Sequence, residues 1–82
     1  MTVQRSPDGT IALSGHCGVE DADVLQGHLL ATPESTVEWS GCEHLHSAVL
    51  QVLLIARPPL RGVPASTFLR THVEPLLARN QI

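Results

Sequence analysis

The chain contains no lysine and no tyrosine, and its large aromatic side chains are Trp39 and Phe68 alone. Few aromatics exclude a core built on stacked rings. Burial must come from Leu, Val, Ile and Ala, which bring less apolar area per residue. A homodimer would cover apolar surface that such a core leaves outside. With no lysine, five arginines stand against eight acidic residues, and the formal net charge is −3. That balance speaks against a nucleic-acid partner, which calls for a basic surface. No apolar stretch reaches the ~18 residues of a membrane span; the longest, Ala48 to Ala56, is broken by Gln51. The start, Met1-Thr2-Val3-Gln4-Arg5, passes into polar residues without the apolar region of a secretion signal. A cytoplasmic protein without membrane insertion is expected. Its two cysteines, Cys17 and Cys42, are then reduced thiols in or near the core.

What is present defines one domain over residues 1–82, near the small end of chains that fold alone. A hydrophobic fraction of 43% is enough for a single core and argues against disorder. Ser6-Pro7-Asp8-Gly9 carries turn chemistry between a short strand, Thr2 to Arg5, and a second, Thr10 to Ser14. Gly15 and Gly18 then frame His16 and Cys17 in a loop. Glu20-Asp21-Ala22-Asp23 places acidic residues in the first turn of a helix, where they complement its dipole. Val19, Ala22, Leu25, Leu29 and Leu30 follow at helical spacing until Thr32-Pro33-Glu34-Ser35 stops it.

Thr36-Val37-Glu38-Trp39 reads as a strand with Trp39 as a core anchor, and Cys42 to His46 reads as a loop. Ser47 to Ala56 forms a second helix, apolar nearly all round and so expected to be the most buried. Pro58-Pro59 ends it, and Arg57 to Gly62 does not easily make a strand. A last helix, capped by Ser66 or Thr67, runs to about Ala78, with Pro75 kinking it or ending its first segment. The order β-β-α-β-α-loop-α implies an α/β fold: a small mixed sheet of three or four strands with two to three helices packed on it.

Three pieces in order carry a likeness. Ile11-Ala12-Leu13-Ser14-Gly15 is a strand ending in a small residue and glycine before an acidic-start helix. Thr36 to Trp39 is the next strand. Cys42-Glu43-His44-Leu45-His46-Ser47-Ala48-Val49-Leu50-Gln51-Val52-Leu53-Leu54 is a loop entering an apolar helix. Over the first 57 residues this resembles a reduced STAS domain, the fold of bacterial anti-anti-sigma factors and of the cytoplasmic tail of sulphate transporters. The chain departs from that pattern at the loop–helix junction, where His46-Ser47 stands for the family's Asp-Ser pair and Val49 for its glycine.

The resemblance implies a non-enzymatic signalling module that docks an anti-sigma-type factor or a kinase and needs no cofactor. It also implies a phosphorylation site at Ser47 that blocks docking. The partner-binding residues would be Cys42, Glu43, His44, His46, Ser47 and Gln51. Taken from the residues alone, Ser47 is a plain N-cap of the second helix. Nucleophilic catalysis is not expected: His46 and Ser47, being adjacent, do not face each other, and no nucleophile elbow or Gly-rich phosphate loop is present. An alternative is a permanent small subunit of a larger complex, such as the STAS-like component of a lipid-transport ATPase. A weaker one is a metal- or haem-sensing domain using the Cys42-x-His44-x-His46 run. That run lacks the C-x₂₋₄-C or H-x₃₋₅-H spacing of structural zinc sites, so no metal is assigned.

Overall fold

A computed structural model describes residues 2–79, with side chains through residue 77. The fold is mixed α/β. Strands β1 (Val3–Arg5), β2 (Ile11–Cys17), β3 (Val37–Leu45) and β4 (Leu60–Arg61) form one sheet in the order β1-β2-β3-β4. Helix α1 (Val19–Ala31) joins β2 to β3, and α2 (Ser47–Ala56) joins β3 to β4. A π-helical turn, Leu69–Val73, leads directly into α3, Glu74–Arg79.

The opening hairpin follows from its turn. Gly9 takes φ +92°, which costs an L-residue more than glycine, and the Asp8 carboxylate accepts the Thr10 N–H at 2.9 Å. The strands then pair antiparallel, Val3 opposite Leu13 and Arg5 opposite Ile11. β2–β3 and β3–β4 are parallel, so helical crossovers connect them. α1 and α2 lie side by side. Val3, Ile11, Leu13, Cys17, Val37, Trp39 and Cys42 of the sheet meet Ala22, Leu25, Leu29, Val49 and Leu53 of the helices in one cluster. Leu69, Val73 and Leu77 of the last helical segment join it.

Both strands flanking the crossover outrun their sequence signals. β2 continues through His16 and Cys17, and β3 continues through Cys42, Glu43, His44 and Leu45. The segments expected to be loops are strand. The reason is in the register. Ile11 pairs with Val37, Ser14 with Gly41 and His16 with His44, so β3 carries two more residues than β2 over the same span. Each extra residue is a bulge that resets which side chain faces inward. Buried positions on β3 therefore fall at Val37, Trp39 and Cys42, with Leu45 half-buried, and not at every second residue. A period-two pattern is lost after Trp39 although the pairing is not.

β4 also corrects the expectation of no strand after α2. Pro59 has no N–H to give, but its carbonyl accepts the Val37 N–H at 2.8 Å, and Leu60 and Arg61 pair with Val37 and Glu38. Prolines that precede a two-residue edge strand leave its ladder intact. Trp39 is the core anchor expected, 1% exposed, with its indole N–H donating to the Gly62 carbonyl at 3.0 Å. Pro75 does not break the last helix. The turn before it widens, with the Glu74 N–H reaching the Leu69 carbonyl five residues back. That extra residue moves the carbonyl that the proline ring would otherwise strike.

Candidate functional site

The carboxyl ends of β2 and β3 and the start of α2 meet at one corner of the sheet. α2 begins there because His46, extended at φ −64° and ψ 148°, turns its ring onto the first turn. Its Nδ1 accepts the Ala48 N–H at 3.0 Å. His46 is thus the N-cap, and Ser47, expected in that role, is the first helical residue. Ser47 is exposed, and its hydroxyl enters no hydrogen bond among the described residues.

Of the residues singled out in the sequence, Glu43, His44, His46, Ser47 and Gln51 are exposed. Cys42 is not: it is fully buried and faces the core, so its side chain offers a partner nothing to touch. His16 joins the group. The parallel register sets it beside His44, ring centroids 5.9 Å apart, and its Nε2 lies 3.7 Å from the Glu43 carboxylate. The two side chains of that pair are largely in water, so it adds little stability. His16 escaped the sequence reading because its strand is broken by Gly15, at φ +66°, and by a register shift beside it. The signal that could have found it is the alternation Leu13, Gly15, Cys17, which leaves Ser14 and His16 on the outer face.

Cys17 and Cys42 sit beneath this corner on neighbouring strands, both fully buried and free of a disulfide. The adjacent Cys17 thiol, together with burial, pushes the Cys42 thiol far above the ordinary range, while the adjacent Cys42 thiol lowers that of Cys17. Cys17 also points its thiol toward the Thr2 and Ser14 carbonyls, and Cys42 toward the His44 carbonyl. These are partners of a core thiol. Among the described residues no three His, Cys, Asp or Glu side chains converge to hold a metal ion. The Cys42-x-His44-x-His46 run is divided between core and surface.

A larger concavity lies along the helices. Between α1 and α2 runs a groove of about 430 Å³, lined mainly by Leu29, Leu30, Pro33, Ala48, Val52 and Ile55, with Gln26 and Gln51 its polar lining residues. Leu30 is 75% and Ile55 81% exposed. α2, expected to be the most buried helix, has just Val49 and Leu53 fully buried, against Ala22, Leu25 and Leu29 on α1. One sheet face can accept one stripe of each helix, and the rest of an apolar helix stays outside.

Compared with known proteins, the chain matches no family model, no curated protein and no solved structure. No helix among the described residues is long and apolar enough to cross a membrane.

Proposed function

We propose that the chain is a STAS-like, non-enzymatic binding module that docks a regulatory protein, of anti-sigma or kinase type, in the cytoplasm. The docking surface is the corner formed by His16, Glu43, His44, His46, Ser47 and Gln51. The observation that carries this reading is the exposed start of α2. A free serine hydroxyl stands on the first helical residue, ringed by exposed polar side chains from two strand ends. The sheet order β1-β2-β3-β4, with its first strand antiparallel and the others parallel, supports the architecture.

The switch would be electrostatic. Phosphate on Ser47 brings a charge of about −1.5 to −2 to a surface that must lose water on docking. The amino end of a helix favours an anion at that position. Affinity purification from the native cell, with wild type and Ser47→Asp as baits, tests the reading. The wild type is expected to retain a partner that the variant loses. No reproducible partner on either bait would remove it, and retention by both would remove the switch.

A further inference from the structure

The groove between α1 and α2 adjoins the docking corner and shares Gln51 with it. No charged side chain lines it, yet Leu30 and Ile55 stand almost wholly in water above it. Exposed aliphatic side chains gathered along one groove mark an interaction surface more often than scattered ones do. We infer that a second copy of this chain covers it, α2 packed antiparallel on α2 about a two-fold axis beside Gln51 and Val52.

Three observations select a second copy. First, the outer stripe of α2 is tapered. Ala48 is small and half-buried, Ile55 two turns later is large and 81% exposed, and Gln51 and Val52 lie between. An antiparallel two-fold seats Ile55 of each copy over Ala48 of the other, a knob over a gap. A C2 contact of this kind needs a patch that complements itself. Second, α2 carries no charge from Ser47 to Ala56. Groups on the two-fold axis meet their own copies, so a charge there would repel, and Gln51 and Val52 carry none.

Third, the flanking charges are complementary. α1 and α2 each follow one of two adjacent parallel strands, so their amino ends lie at the same end of the sheet. Arg57 stands just past the carboxyl end of α2, at φ +52°. Asp23 stands on α1 three residues before Gln26, toward the amino end of the groove. Both are exposed, and neither forms an ion pair among the described residues. The antiparallel two-fold brings Arg57 of each copy toward Asp23 of the other, twice over. Such rim pairs fix register more than they add affinity.

Sedimentation equilibrium of the full chain across micromolar to submillimolar concentrations tests this. The wild type should approach twice its 8.8 kDa monomer mass. Ile55→Glu should weaken self-association on the order of a hundredfold, since it buries a charge within the contact twice over. Ile55 being exposed, the variant should keep its circular dichroism; should it not, Leu30→Glu replaces it. Asp23→Arg and Arg57→Glu should each weaken the dimer by about tenfold, and the two together should restore it. A wild type that stays monomeric throughout overturns the inference, whatever other protein or peptide the groove accepts. So does a dimer indifferent to both glutamates. A charge reversal that fails to restore the dimer overturns the antiparallel arrangement.

Discussion

α1 and α2 pack side by side on the same sheet and are built on different principles. α1 is long and carries three acidic residues near its start, with its amino end closed by the Asp21 carboxylate, which accepts the Gly18 N–H at 2.7 Å. α2 is short, uncharged and closed by a histidine. The helix richer in apolar residues has the fewer buried ones. How apolar a helix is and how deeply it is buried are separate quantities. The sheet grants each helix one stripe, and the surplus on α2 becomes surface.

If that is right, the two helices should respond alike where they are buried and differently where they are not. The largest effects belong to the inner stripes. Leu25→Ala on α1 and Leu53→Ala on α2 should each lower the unfolding free energy by about 3 kcal/mol, since both leucines are fully buried. Urea unfolding followed by far-ultraviolet circular dichroism would show it. A cost near zero at Leu53 would mean that α2 is not anchored by the sheet at all.

Next come the caps. Asp21→Ala and His46→Ala each remove the acceptor of one N-terminal N–H and should cost about 1 kcal/mol. Asp21→Ala should cost the more, because it also removes a negative charge from the positive end of a helix.

The outer stripe sharpens the contrast. At concentrations where the chain is monomeric, Leu30→Gln and Ile55→Gln should each change stability by less than about 0.5 kcal/mol. A large loss at either position would show that it packs inward.

The smallest effect lies on β3, at Glu38 beside the edge strand β4. Hydrogen bonds from Ser40, and then from Arg61, hold the Glu38 carboxyl below its usual range. Its folded pKa is thus lower than its unfolded one. The stability it adds is complete above the ordinary carboxylate value and fades as pH falls through the folded one. Glu38→Gln should therefore flatten the acid limb of the stability curve slightly and leave neutral pH little changed.

Much of the architecture was legible because helices and turns announce themselves locally. Pro7-Asp8-Gly9, the acidic start of α1 and the Pro58-Pro59 stop all lie where the chain changes element. What stayed hidden was long-range. β3 looks four residues long in sequence and is nine in the fold, because its two bulges hide the alternation from Ser40 onward. β4 is specified by what lies next to it, namely the free edge of Val37 and Glu38, and hardly by its own residues. The candidate site suffered likewise. Glu43, His44, His46, Ser47 and Gln51 are consecutive enough to be grouped, but His16 enters through strand pairing alone. Cys42 leaves the group because a bulge turns it inward.

The bond from the Trp39 indole to the Gly62 carbonyl ties the centre of the sheet to the segment just after β4. With no tyrosine in the chain and a single tryptophan, ultraviolet emission comes from this one ring. Its colour is a built-in gauge of whether the final third of the polypeptide is seated: blue while the ring is dry, red once the segment after Pro59 lifts and water reaches it.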